Sequence, residues 1–179
     1  TFPANLSAAN MAYFVAAPTL CYELNYPRIP RRRKLFVVKR AVEVVCLSQL
    51  LIALAQQWIV PLLVNSQKPF RDMDLPRMAE RAMKLAMPNP IIWLLNFYLL
   101  FHSWLNLWAE VVGFADREFY RDWWNAETIG YFWQAWNIPV HRWCSRHVFK
   151  PLRAAGVGSF QAAVWVFLVS AFYHEYIVS

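Results

Sequence analysis

Charged residues are scarce in this sequence. Lys, Arg, Asp and Glu make up 16% of its 179 residues, against about 25% in ordinary soluble domains. Glycine is rarer still, with four in the whole chain. No GxSxG elbow, phosphate-binding loop or GxGxxG turn is present, so covalent catalysis through a protein nucleophile has no local support. The three cysteines, Cys21, Cys46 and Cys144, are odd in number and far apart, with no CxxC and no Cys/His zinc spacing. That argues against a disulfide framework or a zinc centre and favours unpaired thiols packed as small hydrophobes. No signal-peptide pattern, internal repeat or low-complexity tract is visible in these residues.

The chain is instead 59% hydrophobic and 17% aromatic, with ten Trp and thirteen Phe, a composition that points to a membrane protein. The formal net charge of +7 does not indicate nucleic acid, because the basic residues sit beside apolar runs, as the positive-inside bias of membrane proteins requires. The lipid bilayer is the expected partner and nucleic acid is not. The chain is expected to be a fragment (1–179) of a longer domain, since Thr1 is not a natural start and the sequence stops inside an apolar run at Tyr176-Ile177-Val178-Ser179.

The expected fold is all-α and polytopic, with spans over 41–64, 91–114 and 160–179. Residues 1–40 are amphipathic and broken by Pro18, Glu23 and Pro27; Asn5-Leu6-Ser7 matches a glycosylation sequon by chance. Arg28, Arg31, Arg32, Arg33, Lys34, Lys39 and Arg40 then precede the first span and place that side in the cytoplasm. The first span is long enough for a hydrocarbon core of ~30 Å. Its Glu43 can reach the interface, Gln49, Gln56 and Gln57 are expected against other helices, and Pro61 is tolerable. The middle loop, lumenal in this topology, holds a short amphipathic helix after Pro76, ended by Pro88-Asn89-Pro90. In the second span Asn96, Ser103 and Asn106 share roughly one face, and His102 and Glu110 should point inward. Residues 116–158 form a cytoplasmic segment rich in Trp and Tyr, too polar to span and suited to a membrane surface or a ligand groove.

The sharpest anomaly is His174-Glu175, an ionisable pair deep in the otherwise apolar third run and a functional site by default. A neutral imidazole has a lone pair that takes a proton from an alcohol. The alternatives are a structural histidine and a metal ligand, and no second His or Cys at ligand spacing supports a metal. Glu175 points about 100° away from His174 on a helix, so it supports neighbouring helices or backbone. Direct transfer, with His174 deprotonating a substrate hydroxyl, needs donors for the developing oxyanion, and Asn137 is a candidate.

These residues carry a family resemblance. Phe119-Tyr120-Arg121-Asp122-Trp123-Trp124-Asn125 resembles the FYxDWWN motif of the acyl-CoA:cholesterol and diacylglycerol acyltransferase branch of the membrane-bound O-acyltransferases. Trp136-Asn137-Ile138-Pro139-Val140-His141 and Ser170-Ala171-Phe172-Tyr173-His174-Glu175-Tyr176 resemble the same branch in order and spacing. The run Pro18 to Arg28, with its CYELN centre, is similar to the type 1 diacylglycerol class, whereas sterol acyltransferases differ in that centre.

The resemblance implies a multi-pass endoplasmic reticulum enzyme. It would move a fatty acyl group from acyl-CoA to diacylglycerol, with acyl-CoA as substrate and no cofactor or metal, as a homo-oligomer in the full-length protein. By resemblance His174 is the catalytic base and Asn137 its partner in the reaction. Phe119, Tyr120, Asp122, Trp123, Trp124 and Asn125 carry the motif, while Gln134, Trp136, Phe149 and Ser170 lie near the acyl-CoA path. Relatives often have tyrosine where Phe149 stands here, and the nearby Arg142, Arg146 and Lys150 would hold the phosphates of CoA. Two rivals remain, a sterol O-acyltransferase and a non-catalytic polytopic transporter or scaffold.

Overall fold

The computed structural model describes residues 6–178; Asn5 of the sequon and the last residue of the expected third span, Ser179, lie outside them. Every regular element among the described residues is helical, and an isolated antiparallel bridge joins Arg28 to Phe114. The chain divides into two compact units, one of Thr1–Tyr26 with Glu118–Ser179, the other of Pro27–Arg117.

The first unit opens with α1 (Ala8–Ala16), whose first turn is capped by the Ser7 hydroxyl accepting from the Asn10 N–H. The second unit is a long helical hairpin. Its first arm runs through α2 (Lys34–Leu54), a π-helical turn (Ala55–Ile59) and α3 (Val60–Arg71). The second runs through α4 (Leu75–Ala86), α5 (Pro88–Phe97), a π-helical segment (Tyr98–Trp104) and α6 (Leu105–Val112). Between the arms Met73 takes a left-handed conformation, φ 51°, and Asp74 caps α4 by accepting from the Arg77 N–H at 3.2 Å. Beyond α6, Gly113 adopts φ 75°, the left-handed position that closes a helix C-terminus and favours glycine.

The arms pack along their length, α2 against α5 and α6 and α3 against α4, and two carboxylates lock the end where the chain enters and leaves. Glu110 is fully buried. It accepts from the Arg33 backbone N–H at 2.6 Å, from Arg33 Nη2 at 2.9 Å and from Arg117 Nη1 at 2.5 Å. Arg33 is the N-cap of α2 and offers no capping side chain, so Glu110 satisfies that helix start from across the hairpin. The Phe36 ring lies 4.4 Å from the Arg33 guanidinium and 5.7 Å from that of Arg117. Next to it, Glu43 accepts from Arg40 at 2.6 Å and from the buried Ser103 hydroxyl at 3.0 Å.

Glu110 thus points inward as expected, and His102 is half-buried with its ring stacked on Tyr98 at 4.6 Å. Glu43 turns to Ser103 on the other arm instead of reaching out to the interface, because a partner within hydrogen-bond range outcompetes a longer reach to water. Pro88 ends α4 but opens α5 at once, with no loop between; a first-turn N–H is unbonded in any helix, so proline costs nothing there. Gln49, Gln56 and Gln57 are exposed, not packed on a helix of this chain. Asn96 is exposed while Ser103 is buried, so the expected polar face is only partly covered.

The expected spans 41–64 and 91–114 fall within or nearly within the two arms. The helical stretch Leu75–Val112, 38 residues, is long and apolar enough to cross a membrane, and only 11% of its most apolar window is buried within the chain.

Two π-helical turns precede prolines. Val60 donates to the Ala55 carbonyl just before Pro61, and Lys150 to the Ser145 carbonyl just before Pro151. The wider turn relieves the clash of the proline ring with the carbonyl four residues back.

If the Glu110 clamp holds the hairpin closed, Glu110→Ala lowers stability by about 3 kcal/mol, the scale for removing one side of a buried ion pair. Thermal unfolding in detergent measures it, and an unchanged midpoint would show that the clamp is dispensable.

Candidate active site

The remaining helices of the first unit carry the site. A 3-10 turn (Trp123–Asn125) leads to α7 (Ile129–Ala135), α8 (Ile138–Cys144), a π-helical turn (Ser145–Phe149), α9 (Lys150–Ala154) and α10 (Ser159–Val178). The segment before the 3-10 turn is tied to the α7–α8 junction. The Arg121 N–H donates to the Ala135 carbonyl at 2.8 Å, and the Phe119 carbonyl accepts from the Ile138 N–H at 3.0 Å.

This arrangement gives the FYxDWWN residues their places. Phe119 is buried, Trp123 sets its ring edge-on against Trp124 and Phe132, and Tyr120 lies against Trp124. Asp122 accepts from the Tyr131 hydroxyl. That bond raises the Tyr131 pKa, since losing the phenol proton would set two anions side by side. A hollow of about 360 Å³ opens beside Asp122, Asn125 and Tyr131, apart from the residues expected to do chemistry.

Of those residues Asn137 lines a cleft of about 100 Å³ between α8 and α10, where Trp136 and Asn137 face Phe167 and Ser170, while His174 is not among its lining residues. Asn137 is the N-cap of α8, and its side-chain oxygen accepts from the Val140 N–H at 3.3 Å. The cap uses the oxygen and leaves the amide N–H groups as donors toward the cleft. Gln134 and Phe149 do not line it.

His174 follows Ser170 by one turn of α10. Its Nδ1 lies 2.7 Å from the Ser170 carbonyl oxygen and 3.4 Å from the Ser170 hydroxyl. A carbonyl oxygen only accepts, so Nδ1 carries the proton in the neutral ring and the Nε2 lone pair is free to act as a base. His174 and Glu175 are both exposed on this chain; the described residues leave that face of α10 uncovered, so the expected enclosure is not supplied by them.

Sequence alone gives His141 no role beyond closing a motif, yet it lines both the cleft and a second groove. A signal for it does exist, because Asn137, His141 and Cys144 share a helical face at spacings of four and three. Burial, and then the charge of Arg121, hold the His141 pKa below the usual range, so its ring is neutral at physiological pH. Burial pushes the Cys144 thiol up, leaving it inert; all three cysteines are free.

The second groove, about 470 Å³, is lined by Cys21, Glu23, Arg142, Arg146 and Lys150 together with His141 and Ser145. The three cations expected to meet a nucleotide donor thus share one surface. Arg146 pairs with Glu23, and Arg142 with Glu118 at 3.2 Å. Glu118 also accepts from Arg121 at 2.8 Å, and chiefly that bond holds its carboxyl below the usual range.

A chain whose described residues are helical, with a long apolar helix and an asparagine-lined cleft, is matched by a known family. The membrane-bound O-acyltransferase family covers residues 5–179, and the chain belongs to it. Among its relatives, diacylglycerol O-acyltransferase 1 of Bos taurus is 58% identical over 179 residues, which is 100% of this chain and 37% of that protein. The Homo sapiens protein of that name is 56% identical over the same length, 37% of its own. The Dictyostelium discoideum one is 43% identical over 178 residues, 99% of this chain and 29% of the relative. The chain therefore spans little more than a third of the length of the mammalian relatives it matches.

If Asn137 also acts in the acyl transfer of its family, substitution separates that role from the cap. Asn137→Ala removes the cap and destabilises α8 by about 1 kcal/mol. Asn137→Asp keeps the acceptor but loses the donor, so stability stays near wild type while acyl transfer by the full-length protein falls. Thermal unfolding and turnover measured together check this, and wild-type turnover in Asn137→Asp would remove Asn137 from the reaction.

Proposed function

We propose that the full-length protein transfers a fatty acyl group from acyl-CoA to the free hydroxyl of diacylglycerol, forming triacylglycerol and CoA. The family and the names of the relatives support the reaction class. The observation that carries the mechanism is the Nδ1 contact of His174 with the Ser170 carbonyl, because it fixes the tautomer a general base needs.

His174 Nε2 takes the hydroxyl proton as the alcohol oxygen attacks the thioester carbonyl. An Asn137 amide N–H donates to the oxygen that gains negative charge. The C–S bond then breaks, the ester leaves, and the CoA thiolate recovers the proton from His174. Trp136 and Ser170 line the path of the acyl chain, and Gln134 and Phe149 stand near it. Arg142, Arg146 and Lys150 hold the phosphates of CoA. The motif residues Phe119, Tyr120, Asp122, Trp123, Trp124 and Asn125 brace the α7–α8 junction on which Asn137 sits, and Glu175 supports α10.

Helices over 41–64, 91–114 and 160–179 cross the endoplasmic reticulum membrane as part of a multi-pass protein, with 116–158 on the cytosolic, acyl-CoA side. The full-length enzyme assembles as a homo-oligomer and needs no cofactor beyond its substrates.

Full-length His174→Ala is expected to lose about 10²–10⁴-fold in acyl transfer, the usual contribution of a positioned base. Radiolabelled acyl-CoA with diacylglycerol and cholesterol as competing acceptors reads both points. Undiminished transfer would sink the role of His174, and a preference for cholesterol would replace the acceptor.

A further inference from the structure

The basic groove holds a feature that the proposed reaction does not use. Its cations, Arg142, Arg146 and Lys150, surround one carboxylate, Glu23, and that carboxylate is paired with Arg146. Both side chains of the pair are about half exposed, 47% for Arg146 and 54% for Glu23. Exposed pairs of this kind contribute little to stability, so the contact is a weak brace between the chain around Cys21 and the π-helical turn after α8. A phosphate, by contrast, offers a guanidinium several acceptor oxygens and higher charge, and binds it in fork geometry. An incoming phosphate group therefore displaces Glu23 readily, and an uncharged ligand does not.

We propose that Glu23 is a competing anion that occupies Arg146 until the donor's phosphates displace it, which makes Glu23 a residue that sets the KM for phosphate-bearing thioesters. This rests on the reading that the groove receives the CoA part of the donor. Arg142 is prepared in a similar way. Its partner Glu118 also holds Arg121, so Glu118 stays paired when Arg142 turns to the ligand. Glu23 instead is released to solvent. The carboxylate lowers affinity for every donor that must claim Arg146, and its presence keeps the groove from offering Arg146 unneutralised to whichever anion is nearest.

The test uses the full-length protein, two acyl donors and the KM for each. The donors are acyl-CoA and acyl-pantetheine, which keeps the thioester and lacks phosphate. Glu23→Gln is expected to lower the KM for acyl-CoA three- to fivefold and to leave the KM for acyl-pantetheine where it was. The charge swap Glu23→Arg with Arg146→Glu restores an ion pair but not the phosphate site, so its KM for acyl-CoA stays high. If the swap returns that KM to wild type, the pair is a structural brace and the proposal falls. An equal change for both donors in Glu23→Gln also overturns it. Thermal unfolding monitors each variant. If Glu23→Gln is destabilised, Glu23→Asp, which shortens the reach by one methylene, is expected to shift KM in the same direction.

Arg142→Gln and Lys150→Gln separate this proposal from the reading beneath it. If neither raises the KM for acyl-CoA, the groove is not where the donor binds. If both raise it while Glu23→Gln has no effect, only the role of Glu23 is lost.

Discussion

A carboxylate enclosed among helices must be met by cations, and the fold is built around that constraint. Glu110 meets Arg33 and Arg117 at the end of the hairpin, and Glu43 meets Arg40 one layer on. In the other unit Glu118 meets Arg121 and Arg142, and Glu23 meets Arg146. The chain has eleven acidic residues against eighteen basic ones, so carboxylates are the limiting partner. Where the carboxylate is buried, as at Glu110, the pairing fixes how two helices close. Where it is exposed, as at Glu23, it is weak enough to be exchanged. The same chemistry thus serves as a rivet in one place and as a loose fastening in another, and solvent exposure decides which.

Much of the helical framework was legible from the sequence, because long apolar runs and Pro-led turns are local signals. The inward direction of Glu110 was legible for a related reason, since an ionised group has no stable position facing lipid. Its partners were not. Arg33 lies 77 residues away in sequence, and no periodicity links the two. Glu43 and Ser103, 60 residues apart, escaped for the same cause. The prolines at 88 and 90 read as a stop before a span beginning at 91, whereas they form the first turn of that helix.

The candidate site was legible in its parts and not in its assembly. His174 stood out because a polar pair interrupts an apolar helix. The Nδ1 contact that settles its tautomer follows from i,i+4 geometry on α10. Asn137 was found as a motif residue and a possible donor, but its work as an N-cap emerges only when α8 is seen to start there. One amide thereby closes the start of a helix and lines the cleft beside it. The Trp-rich motif, by contrast, proves to be largely a packing device for that same junction.

The π-helical turns before Pro61 and Pro151 set the rotational phase of the helices beyond them. Each holds one residue more than an α-helical path would use. Losing a residue from Ser145–Phe149 would turn everything after it by about 100°, swinging Lys150 off the groove it now shares with Arg142 and Arg146. The spacing from Arg142 to Lys150 therefore works as a ruler whose length is set by a single inserted residue. Across homologous chains, one-residue gaps should be scarcer in this turn than in the loops beside it.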